Sequence, residues 1–410
     1  MKQFEENLKK YAALVIRSGV NLQKDQLLVI RAPIESAPFV RMLTKEAYTV
    51  GAKDVAVFWK DEQISKMRYL YSPMELFETM PAWQAEFNNH YAREGAAFIT
   101  IAADDPDLLE GVDPQKLIAS VKASHLACTD FYENIDNGNL SWNIISVPTP
   151  AWAKKIFPDC DEQQAQEKLW EAIFHAVRVD TPDPIEAWKQ HSELLQEKSS
   201  WLNSMQFEKL HYTNSLGTDL MIGLPENHIW EGGGGKTNGG VFYFANMPTE
   251  EVFTAPHREK VNGIVYSALP LNHNGSLISE FSLTFQDGKV IDFTAKQGYD
   301  VLKHVLDTDE GSRYLGEVAL VPYDSPVSNM GILFYNTLFD ENASCHLALG
   351  SAYQSCIEGG LNLSKEELLA KGINDSDNHI DFMIGTKDLT ITGITKDGKE
   401  IPVFKDGNWA

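Results

Sequence analysis

Three short runs of nearly unbroken apolar residues, QLLVIRA (26–32), DVAVFWK (54–60) and AAFITIA (96–102), stand near the start of the chain with helical spacing between them. A strand with one wet face alternates apolar and polar residues. A run without alternation is apolar on both faces and has to be covered on both. Residues 3–18 and 37–50 carry apolar positions at helical spacing, which predicts amphipathic helices to supply that cover. The N-terminal part is therefore expected to be an α/β domain with a mostly parallel sheet. No GxGxxG follows the first run, so a nicotinamide cofactor is not supported.

The pattern changes further along. Helical spacing over 162–179 and 184–205, separated by TPDP, leads out of the first domain. After Phe207 come short strand-like runs joined by turn residues: NSLGTDLMIG (214–223), NHNGSLISEFSLTFQDGKVIDF (272–293) and KDLTITGITKDGKEIPVF (387–404). Asn-Gly and Asp-Gly between β-rich runs predict hairpins, so the C-terminal part is expected to be a largely antiparallel α+β domain. The expected boundaries are 1–205 and 206–410, and 410 residues are too many for one compact core of ordinary size. The run GGGGKT (232–237) lacks the GxxxxGK[ST] spacing of a phosphate loop; Gly232–Asn238 is expected to be a mobile loop near a site, not a nucleotide site.

The charge balance narrows the partners. A formal net charge of −23 repels nucleic-acid phosphates and anionic lipid, so neither nucleic acid nor a membrane surface is expected. The same field weakly favours cationic ligands such as free peptide amines, although acidity serves solubility first. The start, MKQFEENLKKYAAL, lacks the apolar run of a signal peptide, and no window reaches the ~18 apolar residues of a membrane span. A cytoplasmic protein is expected. Cys128, Cys160, Cys345 and Cys356 form no CxxC pair and suggest reduced thiols, not a zinc knuckle or a disulfide framework.

Chemistry is suggested by acidic groups and histidines inside apolar strands. Glu317 stands in YLGEVALVP, where a carboxylate is costly unless it meets a cation or strong donors. His379 and Asp381 in NHIDFMIG lie two apart on a predicted strand, hence on one face, about 6.6 Å apart along the chain. His346 in ASCHLALGSAY has the same apolar setting, and Tyr353 follows it. Taken singly, a histidine in an apolar strand is more often a packed core residue, and Glu317 has a ready alternative in a buried Arg or Lys. Together, carboxylates and imidazoles in one domain make the mixed oxygen and nitrogen donor set that suits zinc, cobalt or manganese.

Four longer stretches go further: ANMPTEEVFTAPH (245–257), LDTDEGSRYLGEVALVP (306–322), ILFYNTLFDENASCHLALGSAY (332–353) and SDNHIDFMIGTKDLTITGI (376–394). They resemble the signature stretches of the aminopeptidase T/PepS family of metallo-aminopeptidases, and the resemblance runs the length of the chain. It implies a cytosolic, homodimeric exopeptidase that removes N-terminal residues from peptides with a free N-terminus, using two divalent ions per chain: zinc, cobalt, manganese or magnesium. Matched residue by residue, it implies Glu251, Glu317, His346, His379 and Asp381 as metal ligands, and Glu317 is expected to bridge two ions that share a carboxylate and a water. The expected partition sets Glu251 and Asp381 on one ion and the two histidines on the other. Glu317 and Tyr353 are expected at the chemistry, Tyr353 as ligand or as donor to the oxyanion, and Glu250 as amine-binding group or general base. The same donor set would also serve a metal-dependent amidase or phosphoesterase, or a peptide-binding protein with a structural metal.

Overall fold

The computed structural model describes residues 2–273 and 275–410. It divides into two compact units, Met1–Lys189 with Gly234–Pro248, and Gln190–Gly233 with Thr249–Ala410. The single boundary expected after residue 205 is thus replaced by a crossing inside the helix Pro184–Met205 and by crossings on either side of 234–248.

In the first unit the three apolar runs form parallel strands β1 (Leu27–Pro33), β2 (Asp54–Lys60) and β3 (Ala97–Ile101), joined by β4 (Trp142–Ile145) in the order β2-β1-β3-β4. The fourth strand is short and carries Asn143 in its middle, so it offers no apolar run to read. Its neighbour β3 is parallel to it, Phe98 lying beside Trp142. Val29 and Phe98 pack with Ala92, Phe131 and Leu140. Elsewhere in this unit Tyr11 from helix α1 (Lys2–Leu14) stacks on Phe39, with ring centroids 5.1 Å apart, beside Phe174. Gly235–Lys236 pairs with Phe242–Tyr243 as a small antiparallel hairpin, so part of the glycine run is strand where a loop was expected.

The second unit is built from antiparallel sheets. Nine strands form one of them, including the hairpin Ser276–Gln286 with Lys289–Gln297, whose turn residues Asp287 (φ 48°) and Gly288 (φ 83°) both take the left-handed conformation such a turn requires. Asn274, of the predicted NHNG turn, lies outside the described residues. Five strands form the other sheet, in the order His379–Met383, His346–Gly350, Leu315–Leu320, Val252–Thr254, Glu231–Gly232. One face of this second sheet sends Val318, Leu320, Leu347, Leu349 and Phe382 into a common core with Leu210, Tyr212, Ile222 and Phe281 of the larger sheet. Each such large buried side chain contributes about 1.5–3 kcal/mol. The opposite face carries the candidate chemistry.

Candidate metal centre

Strand register gathers the site. Ala319 lies opposite His346, Glu317 opposite Ala348, Ala348 opposite Asp381, and Gly350 opposite His379. Phe253 lies opposite Ala319, and Glu251 precedes it by two positions. Because side chains alternate between faces, Glu251, Glu317, His346, His379 and Asp381 all project from one side, with small residues at 319, 348 and 350 leaving room between them. The Leu315–Leu320 strand is buried along its whole length, so Glu317 has no access to bulk water for compensation.

The donor atoms fall into two groups, each with its members within 4.8 Å of one another: Glu251, Glu317 and His346; and Glu317, His379 and Asp381. His346 Nε2 is 3.3 Å from Glu251 Oε2 and 3.9 Å from Glu317 Oε1. His379 Nε2 is 3.1 Å from Glu317 Oε2 and 3.4 Å from Asp381 Oδ1. Glu317 thus offers one oxygen to each group. The other residues sort differently from the expected partition: Glu251 goes with His346 and Asp381 with His379, and the two imidazoles are apart.

Both imidazoles are oriented from behind. His346 Nδ1 lies 3.0 Å from the Glu341 carbonyl and 3.1 Å from that of Ser344, and His379 Nδ1 lies 2.8 Å from the Ser351 carbonyl. Carbonyl oxygens only accept, so each Nδ1 carries the hydrogen and each Nε2 is turned to carboxylate oxygens, which also only accept. Such a contact is favourable only with a proton or a metal cation on Nε2. Burial alone lowers the His346 pKa, but the hydrogen bond and charge of Glu251, with Asp381 and Glu317, raise it to about 10. His379 is likewise raised well above its ordinary value against the effect of burial, by Asp381 and Glu317. Burial pushes the Glu317 carboxyl up, while His379 pulls it down. For Asp381 the pairing with His379 outweighs burial, and its pKa is lowered. Imidazoles held at Nδ1 by backbone carbonyls, with Nε2 facing carboxylates, can exchange the Nε2 proton for a metal cation, so these residues fit divalent ions.

Two further expected residues lie elsewhere. Tyr353, half exposed, stands at the rim with its ring 5.2 Å from the His379 ring and 5.6 Å from that of Phe253. Glu250 belongs to neither group. It is buried, its carboxylate 3.5 Å from His191 Nε2, and its N–H donates to Asn342 Oδ1 at 2.6 Å. A residue that the motifs did not single out is Glu341. Its carboxyl is raised well above the usual range, first by burial and then by the charges of Asp381 and Glu251, with Glu317 adding to them, so it borders the cluster. Its place five positions before His346 in DENASCH was the available signal, masked by polar neighbours that suggest a solvated turn.

A buried face that collects three carboxylates and two imidazoles, with a fourth carboxyl beside them, defines the class as a metalloenzyme. The profile of the thermophilic metalloprotease family (M29) matches residues 4–409, and the chain belongs to that family. Aminopeptidase 2 of Geobacillus stearothermophilus is 49% identical over 410 residues, covering 100% of this chain and 99% of that protein. Aminopeptidase AmpS of Bacillus subtilis (strain 168) is 48% identical, with 100% of each covered. The structure of wild-type AmpT from Thermus thermophilus superposes with a TM-score of 0.93 at 42% identity, covering 99% of this chain and 100% of that one. Membership of a metalloprotease family implies the use of divalent metal.

Proposed function

We propose that this metallo-aminopeptidase works through two divalent ions per chain, held by two triads that share Glu317. The observation that carries this reading is the Glu317 carboxylate itself, whose Oε1 faces His346 and whose Oε2 faces His379. Glu251 completes one triad and Asp381 the other. Mixed oxygen and imidazole donors suit zinc, cobalt or manganese, and magnesium among harder ions. When bound, such ions polarise a carbonyl and bring the pKa of water toward neutrality.

The chain's own groups do the rest. The Nδ1–H bonds to backbone carbonyls keep both Nε2 lone pairs aimed into the site. Tyr353 at the rim donates its hydroxyl hydrogen to the oxyanion of the tetrahedral intermediate, where such donors matter most. Glu341, outside both triads, would be ionised by the positive charge of bound divalent ions, and in that form takes the proton from the attacking water and returns it to the departing amine. Glu250, turned toward His191, has a supporting role. The acidic site draws the free ammonium group of a peptide substrate, so cleavage proceeds from the N-terminus. We further propose a cytoplasmic homodimer, as the family resemblance implies. No helix among the described residues is long and apolar enough to cross a membrane.

Dialysis against a chelator is expected to abolish release of the first residue from aminoacyl p-nitroanilides, and zinc, cobalt or manganese to restore it. Acetylated peptides should be spared. Activity that survives verified metal removal, or preference for phosphoester or acetylated substrates, overturns this function. Light scattering should give twice the chain mass; a monomer removes the assembly claim alone.

A further inference from the structure

Glu251 and His346 approach to 3.3 Å, yet their strands are not neighbours, because Leu315–Leu320 runs between them. Adjacent strands are about 4.8 Å apart, so the two backbones are separated by roughly twice that. Glu251 also lies just before the first paired residue of its own strand, Val252. The sheet ladder therefore does not hold it. Extending the register would put Glu250 opposite Pro322, which has no N–H to return.

A single buried side chain spans this gap. Asn342, fully buried, accepts the Glu250 N–H on Oδ1 at 2.6 Å, and through Nδ2 it donates to the Leu338 carbonyl at 2.8 Å. Its partner peptide immediately precedes Glu251. On its other side it belongs to the turn Glu341–Ala343, in which the Glu341 carbonyl holds His346 Nδ1 at 3.0 Å. The Ser325 hydroxyl anchors the same turn by donating to the Asn342 carbonyl at 3.1 Å. From the other direction His191 Nε2 meets the Thr249 carbonyl at 2.7 Å. The segment 249–250 is thereby gripped from two sides, and the Asn342 grip also reaches the element that orients His346.

We propose that Asn342 is a positioning residue that sets the Glu251–His346 spacing of one triad by clamping the Glu250 peptide to the turn that orients His346. Its Nδ2 also lies 3.5 Å from Glu341 Oε1, and its positioning effect on the triad runs through Glu251 and His346. An amide is suited to the task, because it accepts on one side and donates on the other without adding charge to an already acidic cluster.

The inference rests on the ligand assignment above, and the test separates the two. Divalent-ion affinity is measured by chelator competition, together with the unfolding midpoint of the ion-free protein and with kcat and KM. Asn342→Leu keeps the volume and removes the side-chain hydrogen bonds, including the long one from Nδ2 to Glu341 Oε1 at 3.5 Å. It should weaken one class of bound ion about 10- to 100-fold, as the loss of a group supporting a ligand does, and lower kcat while leaving KM within about twofold. Asn342→Asp keeps the acceptor for the Glu250 N–H but loses the donor to the Leu338 carbonyl and adds charge, so it should recover part of the affinity and unfold at a lower midpoint. Ser325→Ala destabilises the same turn without cutting the clamp, so it should lower the midpoint and leave ion affinity unchanged. Asn342→Ala carries the same expectation as the leucine variant should that one not fold. Wild-type affinity in Asn342→Leu or Asn342→Ala overturns the proposal, as does a loss in Ser325→Ala that matches theirs. A wild-type protein that binds no divalent ion overturns the ligand assignment instead.

Discussion

His379 and Glu317 face each other with Nε2 and Oε2 3.1 Å apart, while His379 Nδ1 is committed to the Ser351 carbonyl at 2.8 Å. That pairing makes the ion-free site a set of imidazolium–carboxylate contacts. On the proposed ligand assignment, protons there occupy the places that divalent ions would take, so binding and protonation compete.

Proton release follows directly. With His346 raised to about 10 and His379 also raised, both imidazoles carry a proton at neutral pH in the ion-free protein. Ion binding near pH 7 should therefore release about one to two protons per chain. Calorimetric titration in buffers of different ionisation enthalpy measures this. The sign for stability is equally definite. A histidine raised above its unfolded value near 6.5 contributes stability fully below that pH and loses it as pH rises toward 10. The ion-free protein should melt progressively lower across that window, and the ion-loaded protein less so.

Glu317→Gln keeps the shape of the shared residue and removes its charge. Bound metal should fall, and kcat should drop by about two orders of magnitude or more, at least the loss typical of a group that supports a ligand, as the proposed sharing of Glu317 requires. Asp381 Oδ1, 3.4 Å from His379 Nε2, still compensates that imidazole, so the ion-free midpoint should stay near that of the wild type. Unchanged metal content with a sharply lowered midpoint would instead make Glu317 a structural partner.

Gly316 precedes Glu317 at an irregularity in the pairing of Leu315–Leu320 with His346–Gly350. A Cβ added there would lie 2.2 Å from the Ser351 carbonyl oxygen and 2.3 Å from that of Gly350. Backbone must move to admit it. Gly316→Ala should cost about 1–3 kcal/mol in denaturant unfolding and weaken ion binding by displacing Glu317. Wild-type ion affinity in this variant would show that the Glu317 carboxylate tolerates a shifted strand.

Glu62, in the first compact unit, gives a pH effect of its own. Burial first, and then a hydrogen bond with Asp104, raise its carboxyl to about 8, while the Asp105 N–H donates to Oε2 at 3.3 Å. The folded state therefore keeps a proton that the unfolded chain gives up near pH 4.5. Stability from this group falls as pH rises from about 4.5 to about 8 and is level above that. Glu62→Gln cannot titrate and should flatten that part of the profile, as read by the unfolding midpoint at a series of pH values. An unaltered slope would assign it to other groups.

Period-two and period-3.6 patterns are local, so the sequence alone was enough for elements and faces. QLLVIRA, DVAVFWK and AAFITIA announced the parallel sheet, although the DVAVFWK strand stands at its edge with no residue fully buried, and the Asp-Gly hairpin at 287–288 announced antiparallel pairing. NHIDF put His379 and Asp381 on one face, and Glu317 in an apolar run signalled a carboxylate in need of a cation. Cross-strand register is not local. Only tertiary structure set Ala319 opposite His346 and Ala348 opposite both Glu317 and Asp381, and so sorted the donors into Glu251 with His346 and His379 with Asp381. It likewise turned Glu250 toward His191, brought Glu341 from a polar turn to the border of the cluster, and placed Asn342 against a peptide 92 positions away. A side chain's local pattern records which way it points from its own strand, whereas its partner depends on which distant strand pairs beside it, and that is decided only when the whole core packs.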